Sequence, residues 1–188
     1  MKKVFLILFI FAVIDGILFP MSGSTALKTQ YVLLLKMLTY NKSFLNKSTG
    51  KVIIGIVFQN SYRFSADEKD ALVNVIDESD LKVENRSVDY ILMDVSESTH
   101  LEYYGKSSSI DVLFVLPMRG INIGTITAFS QKYKIMTFTS SPDYMNVGIS
   151  ACVNMDGEKP VIIINRNSTR SEGVDFSSQL LRVARIIE

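Results

Sequence analysis

Two almost wholly apolar runs constrain the fold of this chain more than any other feature of its sequence. Residues 51–58 and 110–116 consist largely of valine, isoleucine, leucine and phenylalanine. A strand with such a run is typically buried on both faces, as it is inside a parallel sheet. Helix-like and strand-like segments alternate from residue 51 to residue 139. We therefore predict a mainly parallel sheet with helices on both of its faces.

The segments around these runs predict the other elements of the domain. Leucine and tyrosine side chains recur at helical spacing over residues 26–41 and predict a first helix. Ser65 is expected to cap a second helix that ends at Ile76. The remaining predicted elements are strands over residues 90–95 and 135–139, a short helix over 97–104 and a longer helix over 121–132.

The C-terminal part of the chain predicts a hairpin followed by a closing helix. Apolar runs over residues 147–153 and 161–164 flank a turn that contains an Asp-Gly pair, which is typical of antiparallel hairpins. A polar loop is expected over residues 165–176. Ser177 or Ser178 then caps a helix whose apolar face includes Leu180, Leu181, Ala184 and Ile187. The predicted fold class is thus α/β: a three-layer sandwich whose mainly parallel sheet carries a C-terminal antiparallel hairpin and a closing helix.

Residues 1–25 have the pattern of a secretory signal peptide. A basic start precedes an apolar run over residues 4–14, and small residues that offer a cleavage site follow. The alternative is an uncleaved membrane anchor, but Asp15 and Pro20 interrupt the apolar stretch. We favour cleavage, and we expect residues 26–188 to form one secreted domain that does not insert into the membrane.

The charge balance argues against a nucleic-acid partner. Twenty basic and nineteen acidic residues give a formal net charge of +1. Removal of residues 1–25 takes away Lys2, Lys3 and Asp15 and leaves the rest of the chain formally neutral. Proteins that bind nucleic acid usually carry a strong excess of basic residues, which this chain lacks.

The sequence contains no pattern that indicates an enzyme, a metal site or a cofactor. His100 is the only histidine, and its polar surroundings favour an exposed side chain over a catalytic one. Gly120 and Gly124 lack the spacing of a phosphate-binding loop and are expected in a turn. Asp94 resembles the phosphorylated aspartate of receiver domains, but no acidic pair follows the first strand, so we interpret it as a strand-end residue. Cys152, the only cysteine, lies in an apolar run, which favours a buried thiol over a bridge between two chains.

Several motifs recur together in the C-terminal part. A Gly-Ile pair, a glycine turn, a strand that ends in Ile-Asn and a closing Ser-Ser-x-Leu-Leu-Arg-x-Ala-Arg follow one another. The residues concerned are Gly148, Ile149, Gly157, Ile164, Asn165, Ser177, Ser178, Leu180, Leu181, Arg182, Ala184 and Arg185. In this order the chain resembles the YfiR-like family of secreted bacterial proteins, whose first helix also has counterparts of Lys28, Tyr31, Lys36 and Tyr40. It departs from the family at Ile163, where a carboxylate is common, and it lacks the Trp-Pro pair that often follows the first helix.

The resemblance implies a function, a location and a partner. The founding type of the family is a periplasmic repressor that binds the periplasmic sensor domain of an inner-membrane diguanylate cyclase and so restrains cyclic di-GMP production and biofilm formation. The chain is accordingly expected to be a non-enzymatic periplasmic regulator, a homodimer, with an inner-membrane signalling protein as its partner. Asn165, Arg166, Arg182 and Arg185 are candidates for contacts with that partner, and Arg170 belongs to the same basic group. Basic residues near the end of a helix are also expected from the helix dipole alone, and we favour that structural explanation.

A second group of candidates comes from the expected geometry of a parallel sheet. The loops that follow its strands meet at one edge, where α/β proteins bind small ligands. Tyr62, Arg119 and Tyr144 fall in such loops. Ordinary loops have the same composition, and we favour that explanation. The alternative function is therefore a periplasmic carrier or sensor that binds a small ligand.

Overall fold

Eight strands of the described chain form one mostly parallel sheet, and helices cover both of its faces. The structure is a computed structural model that describes residues 23–46, 50–96, 101–107, 109–157 and 159–188. Residues 1–22, which contain most of the expected signal peptide, and His100 lie outside the described residues. The predicted α/β fold class is confirmed, including the C-terminal antiparallel hairpin.

The strands follow one another across the sheet in an order that needs several crossovers. They are β1 (Val52–Phe58), β2 (Lys82–Val83), β3 (Arg86–Asp94), β4 (Val112–Val115), β5 (Met136–Thr139), β6 (Ala151–Asp156), β7 (Lys159–Asn165) and β8 (Arg185–Ile187). Their order is β2-β3-β1-β4-β5-β6-β7-β8. Strands β3, β1, β4, β5 and β6 are parallel. The antiparallel pairs are β2 with β3 and β6 with β7, whereas β8 runs parallel to β7.

The helices divide between the two faces of the sheet. They are α1 (Gly23–Thr39), α2 (Lys42–Leu45), α3 (Arg63–Asp77), α4 (Leu101–Ser107), α5 (Ile123–Tyr133), a 3₁₀ helix (Pro142–Val147), α6 (Arg166–Glu172) and α7 (Ser178–Val183). Apolar side chains of α1, α2, α3 and α7 pack on one face. Those of α4, α5 and the 3₁₀ helix pack on the other.

The centre of the sheet is packed too tightly for a side chain at one position of β1. A Cβ atom added to Gly55 would lie 2.8 Å from Leu113 Cδ2 and 2.8 Å from Met93 Sδ. Both neighbours are completely buried. Glycine at this position therefore allows β3 and β4 to bring large side chains over β1 on the same face.

Main-chain hydrogen bonds tie the end of α1 to the segment that precedes α7. The Ser177 amide donates to Tyr40 O over 2.9 Å, and the Lys42 amide donates to Asp175 O over 2.8 Å. Asn41 pairs with Phe176 in an isolated antiparallel bridge. The first described helix and the last one are thus joined through the backbone.

Several predicted boundaries near the start of the chain were wrong. Ser65 does not cap α3, which begins two residues earlier, at Arg63; it is buried inside the helix, where its hydroxyl oxygen accepts a hydrogen bond from the Gln59 amide over 3.0 Å. The short strand β2 was not predicted. It pairs with β3 through a turn at Glu84 and Asn85, both of which have positive φ. Asparagine is common at positive φ, but glutamate is not, so the sequence Glu84-Asn85 does not predict this turn clearly.

The C-terminal region also differs from the predicted order of elements. Residues 147–150 are not part of a strand, because the 3₁₀ helix and Gly148, at φ 98°, precede β6. The expected polar loop over residues 165–176 contains α6, a helix without an apolar stripe. The closing helix ends at Val183, and Arg185–Ile187 forms β8 instead of a last turn. Ser177 occupies the N-cap position before α7, but its hydroxyl makes no capping hydrogen bond.

A buried carboxylate anchors α6 to the sheet and to α5. Glu172 is 1% exposed. Its Oε1 accepts hydrogen bonds from the hydroxyls of Ser130 (2.8 Å) and Thr137 (2.7 Å), and its Oε2 accepts one from the Thr137 amide (2.9 Å). Burial raises the pKa of Glu172, although these donors oppose the shift. Uncharged donors surround this carboxylate, so its ionised form is costly despite complete hydrogen bonding.

We predict that replacement of Glu172 by glutamine changes the pH dependence of stability. Because the pKa of Glu172 is raised in the folded protein, its stabilising contribution is complete below the ordinary value of 4.5 and is lost as pH rises through the folded pKa. The Glu172→Gln variant keeps the shape of the side chain without its charge. The melting temperature of the variant should therefore rise relative to that of wild type as the pH is raised from 4 to 8. A Glu172→Ala variant leaves the donors unpaired and should lose about 1–3 kcal/mol. Parallel curves for wild type and Glu172→Gln would contradict the prediction.

Candidate binding site

The predicted residues at the carboxyl ends of the parallel strands lie close together but serve internal contacts. The Tyr144 hydroxyl accepts a hydrogen bond from the Met118 amide (2.7 Å) and donates one to Met118 O (3.1 Å). Burial raises the pKa of Tyr144, opposed by the bond with Met118, and the proximity of Tyr62 adds to the rise. Tyr144 therefore holds the loop after β4 in place.

The loop after β4 is also held by a contact from Gln59, which follows β1. Gln59 Oε1 accepts a hydrogen bond from the Arg119 amide over 2.8 Å. The Arg119 side chain is exposed. Two side chains from the ends of different strands thus fix the same loop. This arrangement explains Tyr144 as a structural residue and leaves the Arg119 side chain exposed at this edge.

Asp94 organises the end of β3 in the same way. It is the last residue of β3, as expected for a strand-end residue. Its Oδ1 accepts hydrogen bonds from the amides of Asn60 (3.1 Å) and Ser96 (2.9 Å) and from the Ser96 hydroxyl (2.6 Å). Burial opposes its ionisation, but these donors prevail and lower the pKa of Asp94. An ionised carboxylate that binds loop amides needs no role in catalysis.

The other four predicted residues lie at a different part of the sheet. Strand β7 runs antiparallel to β6, so its end points away from the edge where the parallel strands end, and the Asn165 amide donates to Ser150 O just before β6. The seven candidates therefore do not form one site. Asn165 is buried and caps α6: its Oδ1 accepts from the Ser168 amide over 3.0 Å, and its Nδ2 donates to Met145 O over 3.2 Å.

The three arginines are all exposed, but only one ends a helix. Arg182 lies in the last turn of α7, as the dipole explanation requires. Arg185 lies in β8 instead, where it pairs in register with Ile163, so that explanation was wrong for Arg185. Arg166 is the first residue of α6 and forms a 3.8 Å ion pair with Glu188. Burial raises the pKa of the Cys152 thiol to about 12, against the opposing charge of Arg185, so this thiol is unreactive.

An apolar groove runs between α1 and α7. It has a volume of about 240 Å³. Its apolar lining comprises Leu33, Met37, Tyr40, Ile162, Leu180 and Val183, and we call it the apolar groove. Val183 is 73% exposed, more than other large apolar side chains of the described surface. An apolar cleft with so exposed a valine at its edge has the character of a protein-binding surface.

A second groove lies on the other side of α7. It has a volume of about 370 Å³ and is lined by Ile164, Arg166, Arg170, Phe176, Leu181 and Ile186 together with Thr169, Val174 and Asp175. We call it the arginine groove. Ile164 of this groove and Ile162 of the apolar groove are two positions apart on β7 and therefore share a face of the sheet. The sequence did not predict this groove, because residues 165–176 were assigned to a loop. With a helix assigned there, the four-residue spacing of Arg166 and Arg170 would have indicated that both side chains lie on one face.

The described residues provide neither an evident metal site nor a membrane-spanning helix. No group of three or more histidine, cysteine, aspartate or glutamate side chains among them is placed to hold a metal ion. None of the helices in the described ranges combines the length and the apolar character needed to cross a bilayer.

Comparison with known proteins identifies the relatives of this architecture. The sequence profile of the YfiR/HmsC-like family matches residues 46–185. No curated protein is significantly similar in sequence to the chain.

Solved structures with the same fold are distant in sequence. The chain is similar to an ABC domain in complex with L-Trp from Streptococcus pneumoniae (14% identity, TM-score 0.57). It is also similar to a conserved domain protein from Vibrio cholerae (12%, 0.59) and to a ligand-free, open substrate binding protein with adhesive properties from Clostridium difficile (16%, 0.58). These matches cover 86%, 86% and 82% of this chain but only 60%, 60% and 58% of those chains. The likeness establishes a shared fold, and fold alone does not establish a function.

We predict that Tyr144→Phe destabilises the protein by about 1 kcal/mol, because the Met118 amide loses its acceptor in a partly buried site. Chemical denaturation of residues 26–188 measures the change. Tyr62→Phe is the matched control, because the Tyr62 hydroxyl makes no hydrogen bond within the described part of the chain. Equal stability of the Tyr144→Phe and Tyr62→Phe variants would contradict the structural role of Tyr144.

Proposed function

Because the chain belongs to the YfiR/HmsC-like family, we propose that it is a non-enzymatic periplasmic regulator that binds the periplasmic sensor domain of an inner-membrane diguanylate cyclase and holds it inactive. The family suggests a role in cyclic di-GMP signalling, and this membership is the observation that carries the proposal. The proposal includes export by a cleaved signal peptide and a homodimeric state.

Repression of this kind requires a difference in affinity between two states of the partner. A protein that bound both states equally would shift nothing, however tightly it bound. To move a sensor domain from almost fully active to almost fully inactive, the affinity for the inactive state has to be about 10⁴-fold higher. The regulator needs a surface that only one state of the sensor domain complements.

The apolar groove is the surface that we assign to this contact. Its walls come from α1 and α7, and Lys36 is the charged residue of its lining. Apolar side chains that a partner inserts there would be removed from water, and Val183 would lose its exposure. Burial of this kind dominates the energy of protein interfaces, with a few central residues contributing most. Arg182 precedes Val183 and is placed to contact the same partner at the periphery.

The second candidate function is a periplasmic carrier or sensor of a small ligand. At the carboxyl ends of the strands, the Tyr144 hydroxyl and the Arg119 amide already have protein partners. The arginine groove, by contrast, has a volume in the range of small-molecule sites. Two results together would favour this function over regulation. A ligand raises the melting temperature of the purified protein as its concentration increases, and loss of the protein leaves cyclic di-GMP in the cell unchanged.

We predict that Val183→Asp abolishes repression without destabilising the fold. A charge in the apolar groove should weaken partner binding at least tenfold, which corresponds to about 1.4 kcal/mol. Because Val183 is 73% exposed, the melting temperature should be unchanged. Val147→Asp is the matched control, since Val147 is 48% exposed on the 3₁₀ helix, away from both grooves.

The measurement has two parts. Tagged residues 26–188 are purified from mildly cross-linked cell envelopes and their partners are identified by mass spectrometry, and cyclic di-GMP is measured in a deletion strain complemented by each variant. Wild type and Val147→Asp should capture an inner-membrane cyclase and keep cyclic di-GMP low, whereas Val183→Asp should do neither. If no inner-membrane protein is captured and the deletion leaves cyclic di-GMP unchanged, the proposed function is wrong.

A further inference from the structure

The arginine groove combines a cationic wall with an apolar floor. Ile164 of β7 and Ile186 of β8 contribute to the floor from neighbouring strands, and Phe176 and Leu181 enclose it from the segment around α7. Arg166 and Arg170 line it from α6. They are four residues apart and therefore adjacent on one face of that helix. A ligand in the groove would meet both guanidinium groups and the apolar floor at once.

The protein neutralises these two arginines only weakly. The ion pair of Arg166 with Glu188 is 3.8 Å long, and both side chains are largely exposed. Such pairs contribute little, and a better placed anion displaces them. Arg170 forms no ion pair within the residues that the structure describes. Asp175, the one carboxylate among the described residues that line the groove, forms an equally long and exposed pair with Lys42, so the lining carries two positive charges and one negative charge. The groove therefore has an unmet preference for an anion.

The helix that carries the arginines is held firmly at both ends. Asn165 caps its first turn, and Glu172 joins its last turn to Ser130 and Thr137. At the C-terminal end, Gly173 follows in the left-handed conformation with φ 75°. The backbone positions of the two arginines are thereby set before any ligand arrives. A preorganised site spends less free energy on ordering when it binds.

The helix dipole accounts for one arginine but not for the groove. A basic residue in the last turn of α6 is expected without any ligand, and this applies to Arg170. The dipole gives no reason for Arg166, because a positive charge at the first position of a helix is unfavourable. It also gives no reason for an open cavity of about 370 Å³ beside the two side chains, with polar and apolar residues in its lining. Both features have one explanation if an anion binds between them.

We propose that the arginine groove binds a small organic carboxylate with a compact apolar body. The carboxylate pairs with Arg166 and Arg170, since guanidinium groups match the geometry of a carboxylate and form two parallel hydrogen bonds with it. The apolar body lies on Ile164, Phe176 and Leu181. This site is distinct from the apolar groove assigned to the protein partner, and it goes beyond the regulatory function proposed above.

The test measures binding of defined probes to purified residues 26–188 by isothermal titration calorimetry. Octanoate and 4-phenylbutyrate are the carboxylates, octanamide is the uncharged analogue, and acetate carries the charge without the apolar body. We expect octanoate or 4-phenylbutyrate to bind. Octanamide should bind at least tenfold more weakly because it forms no charge-assisted hydrogen bond, and acetate at least tenfold more weakly because it has no apolar body to remove from water.

Three variants locate the site. Arg166→Gln and Arg170→Gln should each weaken binding of the carboxylate at least tenfold, which corresponds to loss of one charge-assisted contact. Arg63→Gln is the matched control, because Arg63 is exposed on α3 and does not line the groove, and it should bind within about twofold of wild type. Since all three side chains are exposed, unchanged melting temperatures confirm that each variant is folded.

Three results would overturn the proposal. The first is that neither carboxylate binds at 5 mM, a concentration about fivefold above a 1 mM Kd. The second is equal binding of octanoate and octanamide, or of wild type and Arg170→Gln. The third is saturation of the groove only by an acidic peptide, which would make it a protein-binding surface. The assay contains no partner protein, so failure here and failure of the proposed regulatory function are distinguishable.

Discussion

Burial of the central strands on both faces is the constraint on which the rest of the structure depends. Strands β1 and β4 lie side by side in the middle of the sheet, and almost all of their side chains are buried. Burial of one such side chain, for example Ile54 or Phe114, stabilises the fold by about 1.5–3 kcal/mol. A single layer of helices would leave half of these side chains in water. Helices on both faces are therefore a requirement of the two apolar runs, and the loops and grooves at the edges are attached to that rigid centre.

The reversal of chain direction at β7 determines where the binding surfaces lie. The parallel strands end at one edge, where Tyr144, Gln59 and Asp94 join the loops to one another. Strand β7 runs in the opposite direction and leads directly into α6. The two grooves then flank α7, with Leu180 facing one and Leu181 the other. A shift of this six-residue helix would alter both grooves, which gives a protein partner and a small ligand a physical means of influencing each other.

Elements with a strong apolar period were predictable from the sequence, and those held by polar contacts were not. The strands around Ile54 and Phe114 and the hairpin at Gly157 follow directly from residue patterns. Helix α6 does not, because its stability comes from hydrogen bonds of Glu172 to residues more than thirty positions away along the chain. The arginine groove depends on α6, so it could not be predicted either. The end of α7 was misassigned because Ile186 and Ile187 fit a helical face and a strand equally well, and only the unpaired edge of β7 decides between them.

The backbone connection between α1 and the segment before α7 has a consequence for how the chain reaches its folded state. Tyr40 and Asn41 bond to Ser177 and Phe176, which are separated from them by most of the described sequence. Contacts between residues so far apart in the sequence form late, because a long loop has to close before they can stabilise the fold. The sheet also gains its last strand only when the final residues are present. Folding is therefore expected to be slow and to depend on the residues that form β8 and the segment before α7.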